Sequence, residues 1–354
     1  MTARSTNNIW LHRFAMATAL ATLFLIWMGG LVTSHGVGMS VPDWPTTYGY
    51  NMYLFPVSKW TGGIFYEHTH RLVASWIGYM TAVLCGWLLI KEKRRWLRWL
   101  GVAALFLVAV QAVLGGLRVT LYKDELGIFH ASLAQMFFVL VSSIALFTSR
   151  WWVSEETAIP VTIQQFRVRN YYAGATLLIL LQLALGSTMR HQHAGLAIPD
   201  FPTAYGQLWP NMSAAAIEQY NQTRVETVAA NPITALQILL QMIHRILALI
   251  IFVLVITAWW KTRRELGVSL RLTKIATIWV GLLCLQILLG AATIWSHKSP
   301  YMTTLHVAVG ALNLMTGAML FLVANRCLKR ETVNESVPGL REESGEIRGM
   351  RMPA

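Results

Sequence analysis

The sequence predicts an all-α polytopic membrane protein of eight transmembrane helices, arranged as two tandem four-helix bundles related by internal duplication. Three observations predict it. Of 354 residues, 55% are hydrophobic and 13% are charged, where a soluble domain has about 25% charged residues. The apolar residues fall into eight runs, each close to the roughly 20 residues that one bilayer crossing needs. A series of short motifs in the first half of the chain returns, in the same order, in the second.

The first run, 12–34, follows Arg4 and Arg13 but is too long for a secretory signal and has no small-residue cleavage site, so it is read as a span. Spans at 66–90 and 97–119 are separated by Lys91, Lys93, Arg94, Arg95 and Arg98. The next, 127–149, is followed by Arg150, Arg167 and Arg169, ahead of a span at 168–190. After 236–260 come Lys261, Arg263, Arg264, Arg271 and Lys274, then spans at 271–295 and 303–326. The remaining connections are poor in basic residues, with Lys59 alone in the first. By the positive-inside rule both termini are cytoplasmic and the long loops 35–65 and 191–235 lie outside. The formal charge of +13 is thereby explained by orientation, and no nucleic-acid partner is expected. Cys85, Cys284 and Cys327 have no Cys-x-x-Cys spacing, which argues against a disulfide scaffold and a thiolate metal site. The expected organisation is a cytoplasmic N-terminus (1–11), an N-terminal half (12–150), a linker (151–167), a C-terminal half (168–326) and a disordered tail (327–354) rich in Glu, Arg and Gly.

The repeat carries the functional information. Pro42-Asp43-Trp44-Pro45-Thr46-Thr47-Tyr48-Gly49 returns as Pro199-Asp200-Phe201-Pro202-Thr203-Ala204-Tyr205-Gly206, an offset of 157. His70-Arg71 returns as His244-Arg245 at 174. Gln111 with Leu114-Gly115 returns as Gln286 with Leu289-Gly290 at 175, and His130 returns as His306 at 176. Each half has an even number of crossings, so the copies share one orientation about an axis along the membrane normal. The change of offset places an insertion of about 17 residues within 207–235.

Histidine inside a membrane helix is costly and marks a site. Here each half supplies two, near the outer ends of its second and fourth helices: His70 with His130, and His244 with His306. Facing imidazoles at one level of a four-helix bundle are how a bis-histidine haem iron is held; zinc or copper is a weaker reading, because no carboxylate or thiol recurs beside them. Each histidine taken alone also fits a hydrogen-bonded packing role. Arg71 and Arg245 are suited to a porphyrin propionate or to snorkelling towards headgroups. Glu67 precedes His70 by three residues, on the same helix face, while Gln241 holds the equivalent place in the second half. A carboxylate beside one pocket only points to proton-transfer chemistry there; the alternative is a charge complementing the helix N-terminus. His68, rotated by about 200° from His70, is an interface residue. His35, His191 and His193 are unduplicated and read as solvated or loop-packing. Asp43 and Asp200 are placed to cap rigid turns, and Ser213 to Ala230 reads as a short amphipathic outer helix.

These residues resemble the haem A synthases, membrane enzymes that oxidise haem O to haem A for cytochrome oxidase. The resemblance covers about Leu11 to Arg326. It rests on Glu67-His68-Thr69-His70-Arg71, the family's Glu-x-x-His-Arg, together with Gly29-Gly30-Leu31-Val32-Thr33, Leu114-Gly115-Gly116-Leu117-Arg118-Val119-Thr120, His130-Ala131, His244-Arg245 and His306-Val307.

The resemblance implies a bacterial-type plasma membrane location and a resident haem b ligated by His244 and His306. It also implies a haem O substrate flanked by His70 and His130, and Glu67 as the catalytic carboxylate. The implied reaction is two successive oxidations of one porphyrin methyl group, through an alcohol to a hydrated aldehyde that loses water. Its electrons go to a membrane acceptor of unknown identity; haem O synthase and a second copy of the chain are the expected protein partners. Some family members carry a cysteine pair in the first outer loop, and 35–65 here contains none. Two other classes use the same features: a non-catalytic di-haem quinone-linked cytochrome, which gives Glu67 no task, and a transporter, whose site would lie at the midplane.

Overall fold

The computed structural model describes residues 8–123, 125–154, 159–161, 167–225, 232–267 and 271–330. Eight helices are long and apolar enough to cross a bilayer. They are α1 (Ile9–Ser34), α2 (Gly62–Lys91), α3 (Arg95–Thr120), α4 (Glu125–Thr148), α5 (Val168–His191), α6 (Ala235–Leu266), α7 (Arg271–Trp295) and α8 (Pro300–Cys327). The chain is a multi-pass membrane protein.

Local chemistry sets the helix ends. Asn8 caps α1 by accepting from the backbone N–H of Trp10 and Leu11. Thr234 and Gln237 form a reciprocal capping box at the start of α6, and Pro300 opens α8, where its missing N–H costs nothing. The expected spans match these helices to within a few residues, except that α6 continues past residue 260 to Leu266. Its last turns tolerate charge because the basic side chains lie over aromatic rings: Lys261 over Tyr171, Arg263 over Trp259 and Arg264 over Trp260.

Each set of four helices closes on itself. α1 packs on α2 and α4, α2 on α3, and α3 on α4; α5 to α8 repeat the scheme. The halves meet along a seam of α1 and α4 against α5 and α8, and α4 and α8 are accordingly the most buried helices. Two apolar cores result. One includes Leu11, Ala15, Ile77, Leu84, Phe138 and Val141; the other includes Tyr172, Ile251, Val255, Trp279 and Leu320. Both fill the bundle from the end carrying the basic loops up to about its middle, and the four repeated histidines lie beyond them, towards the other end.

A short parallel pairing joins Ile159–Val161 to Leu328–Arg330. The tail beyond residue 330 lies outside the described residues. The amphipathic outer helix expected over 213–230 is observed as Ala214–Gln222; residues 226–231, Glu226 included, are not among those described.

Candidate functional site

His70 lies on α2 and His130 on α4, within electrostatic reach of one another, and His244 on α6 and His306 on α8 stand in the same relation. All four lie past the first turn of their helices, so His130 and His306 sit slightly deeper than expected. All four imidazoles are partly buried, each keeping some accessible surface.

A glycine of the preceding helix supports each ring. A Cβ added at Gly29 or Gly290 would stand 3.1 Å from Cε1 of His70 or His306; at Gly115 and Gly186 the distances to His130 and His244 are 3.3 and 3.4 Å. At Gly29, Gly290 and Gly115 a Cβ would be tight enough for the ring to have to give, while at Gly186 it would make ordinary contact. The landmark glutamines orient two of the rings. His130 Nδ1 donates to the Gln111 carbonyl at 3.2 Å, and His306 Nδ1 to that of Gln286 at 3.1 Å. A carbonyl only accepts, so the proton resides on Nδ1 and Nε2 carries the lone pair. The Gln286 amide N–H is 3.4 Å from His306 Nε2, which agrees with that tautomer. Gln111 and Gln182 also donate to the backbone carbonyls of His130 and His244. By contrast Nδ1 of His70 and of His244 is buried without a hydrogen-bond partner.

These residues fit a haem. Two imidazoles per half match the donor set of a bis-histidine haem iron, and the backbone carbonyls on Nδ1 of His130 and His306 are the usual outer partners of metal-binding histidines. Among the described residues no group of three or more His, Cys, Asp or Glu converges as a closed ion site would require.

Glu67 is 4% exposed and holds the loop between α1 and α2: Oε2 accepts from Val41 N at 2.9 Å and Oε1 pairs with Arg71 at 2.7 Å. Gln241 grips the second loop in the same way, accepting from Ile198 N at 2.8 Å and donating to Ile198 O at 3.2 Å. Glu67 lies beyond the first turn of α2, too far along for the helix-dipole alternative.

The guanidinium groups are placed differently from the porphyrin-edge expectation. Arg71 donates to the carbonyls of Val41, Asp43 and Thr46 besides Glu67, and Arg245 donates to those of Asp200 and Thr203. The reason is angular. A residue following a histidine is turned about 100° from it on the helix, whereas Arg71 shares its stripe with Glu67 at i,i+4.

The loops fold alike. Asp43 accepts from Tyr48 N, Gly49 N and Thr46 Oγ1; Asp200 accepts from Tyr205 N, Gly206 N and Thr203 Oγ1. Burial opposes ionisation of both carboxyls, and these hydrogen bonds outweigh it and hold each below the usual carboxylate range. The capping expected of the two aspartates is therefore present. Trp44 of the first loop presses on α3 at Gly116, where a Cβ would meet the indole at 2.3 Å.

His68 is fully buried beneath the first loop, 4.7 Å from the Trp60 ring and 5.0 Å from that of Phe55, with Nδ1 3.2 Å from Thr47 Oγ1, which is the interface role expected. His35 stacks on Tyr66 at 4.4 Å and bonds to Leu31 O, a packing role. His193 occupies a left-handed turn position, and His191 lies against Gly127 of α4.

Residues 12–318 match the family model described as cytochrome oxidase assembly protein, COX15-CtaA. Among curated relatives, the heme A synthase of Shewanella oneidensis is 25% identical over 87% of this chain and 93% of its own length. Those of Lysinibacillus sphaericus and Halalkalibacterium halodurans are 26% and 21% identical, over 73% and 88% of this chain and 77% and 96% of their own. The match spans both halves and all four histidines, and the chain belongs to the COX15-CtaA family of cytochrome oxidase assembly proteins, the haem A synthase family its Glu67-x-x-His70-Arg71 motif resembles.

Proposed function

We propose that the protein is a haem A synthase, an oxidoreductase converting haem O to haem A by two successive oxidations of one porphyrin methyl group. The observation that carries this reading is a pair of matching, glycine-backed histidine pairs of which only one has a carboxylate one helical turn away, Glu67 against Gln241. The first half then takes the substrate between His70 and His130, and the second holds a resident haem b on His244 and His306. That haem supplies one-electron redox capacity. The chain's own residues do the rest. The glycine-backed imidazoles would hold the two porphyrins, and the Asp43 and Asp200 loops, clamped by Arg71 and Arg245, would shield them from water. Glu67 places negative charge one helical turn from His70. The oxidation is balanced as methyl plus water giving formyl, four electrons and four protons. The protons need an acceptor near the reacting carbon and the electrons leave to a membrane acceptor. Purified protein given haem O and an electron acceptor is expected to yield haem A on extraction. Bound haem with unchanged haem O would instead favour a non-catalytic di-haem cytochrome.

The duplicated halves and the orientation belong to the same proposal. The basic connections at 91–98 and 261–274 put both termini in the cytoplasm of a plasma membrane and the histidine end outside. In a chain freed of its native cysteines, an impermeant thiol reagent is expected to label Cys introduced at Ser58 or Asn221 and to spare one at Glu265. The reverse pattern overturns the orientation.

A further inference from the structure

The loop between α1 and α2 and the loop between α5 and α6 share a base and differ in what lies on it. At the base, Glu67 and Arg71 hold the first loop on either side of His70, and Gln241 and Arg245 hold the second on either side of His244. The turns above are closed alike: Thr47 and Tyr50 exchange backbone hydrogen bonds in one, Ala204 and Gln207 in the other. From there the loops part. The insertion in the second folds into the short helix Ala214–Gln222. Tyr220 of that helix stacks on Tyr205, with ring centroids 3.5 Å apart and planes within 6°. The next residue, Asn221, is bonded both ways to Ile233, just ahead of α6: Nδ2 donates to Ile233 O at 3.0 Å and Oδ1 accepts from Ile233 N at 2.7 Å. The short helix is thus fastened to the turn by one side chain and to the root of α6 by its neighbour. Ala197, Ile198, Ala204, Ile238 and Met242 form a buried apolar cluster, with Tyr205 and Tyr220 packed against it.

The first loop has no counterpart of this helix. Tyr48, the repeat partner of Tyr205, is 45% exposed, and its ring lies 6.2 Å from that of Phe55. The floor differs too: Thr47 and His68 stand where the second half has Ala204 and Met242. Phe55 and Trp60 close over His68, whose Nε2 is buried without a hydrogen-bond partner among the described residues. A buried polar atom left unpaired costs free energy that is recovered when water reaches it, so opening the first loop relieves a penalty. Opening the second does the reverse, because it breaks an aromatic stack and wets an apolar cluster. Segments with fewer buried apolar contacts open locally at lower free energy.

We propose that the helix Ala214–Gln222 is a latch that keeps the second loop closed on α6 beside His244, and that the unlatched first loop is the one that opens, so that the first half exchanges its porphyrin while the second retains its own. The retention of porphyrin rests on the haem reading above; the difference in opening rests on the loops alone.

The test is hydrogen exchange of the full-length protein in lipid nanodiscs, comparing the matched turns 44–50 and 201–207 after correction for intrinsic rates, together with the rate at which haem is lost to excess apomyoglobin. The first turn is expected to exchange roughly ten- to a hundredfold faster than the second, the worth of a buried aromatic stack in an opening equilibrium. Tyr220→Ala is expected to bring the second turn close to the rate of the first, to leave the first unchanged and to speed haem loss from the second half. Tyr220→Phe, which keeps the ring, is expected to behave as wild type. The paired change Thr47→Ala with His68→Met, which gives the first loop the floor of the second, is expected to slow exchange of the first turn. Equal exchange of the two turns in the wild type overturns the latch, as does a wild-type rate for the second turn in Tyr220→Ala. Faster exchange in Tyr220→Ala with unchanged haem loss overturns the retention of porphyrin by the latch. Wild-type protein that carries no haem overturns the haem reading itself, and the exchange rates of the two turns still decide the latch.

Discussion

His244→Ala and His306→Ala are each expected to abolish the low-spin haem b spectrum, while His70→Ala and His130→Ala keep much of that spectrum and reduce haem A formation to background. The two histidine pairs lie in separately closed sets of four helices, so removing a histidine from one leaves the imidazoles, glycines and loop clamps of the other in place. Within a pair the effect would be large, because the two imidazoles are the protein donors proposed for that iron and removal of one would change its coordination number. Even an outer-shell partner of a metal-binding histidine contributes about ten- to a hundredfold in affinity, and loss of the ligand itself exceeds that. Redox difference spectra with analysis of the extracted haems read both parts of the expectation in one preparation. Equal haem loss from all four variants contradicts the division of labour between the halves.

Much of this arrangement is legible in the sequence because membrane helices are written in long, unambiguous code. Apolar runs closed by Lys91 and Arg95, or by Arg150 and Arg167, fix spans to within a few residues, since a charge at the bilayer centre is costly wherever it occurs. The exception, α6, shows the limit of that code: Lys261, Arg263 and Arg264 extend the helix instead of ending it, because rings on α5 and on α6 itself cover their stems. The turn chemistry of Asp43 and Asp200 is equally readable, since a side chain that caps its own loop acts over only a few residues.

What stays hidden depends on which helices meet. That Gly29 backs His70, and Gly290 backs His306, follows from one helix touching the next at a particular rotation; the glycines are visible as motif residues, but their imidazole partners are not. Arg190 looks like one more basic residue at a helix end until its guanidinium is seen to hold Gly30 and Ser34 of α1. Arg71 is the reverse case. Its place beside His70 in the sequence suggests a shared site, yet adjacency along a helix separates two side chains by about 100°, and only the i,i+4 relation to Glu67 survives folding.

Glu67→Gln is expected to insert normally and keep the haem on His244 and His306, yet to make haem A roughly a hundred to ten thousand times more slowly, the usual worth of general acid or base catalysis. The structure makes this substitution selective. If Glu67 served only to anchor the first loop, glutamine would suffice, because Gln241 holds the backbone of Ile198 in the second half just as Glu67 holds that of Val41. Arg71, left without its carboxylate, still has three loop carbonyls to accept from it, so its charge stays solvated and the loop stays tethered. What the variant loses is negative charge near the reacting carbon, and with it the means to accept a released proton or to stabilise developing positive charge. Haem O, or the alcohol intermediate, is therefore expected to accumulate in extracts of Glu67→Gln, with the redox spectrum of the second half unchanged. Glu67→Asp, which keeps the charge at a shorter reach, is expected to recover part of the rate. A well-expressed Glu67→Gln protein with near-normal haem A yield would reduce Glu67 to the loop anchor that Gln241 already is, and the proton acceptor would have to be sought among other groups near the first histidine pair.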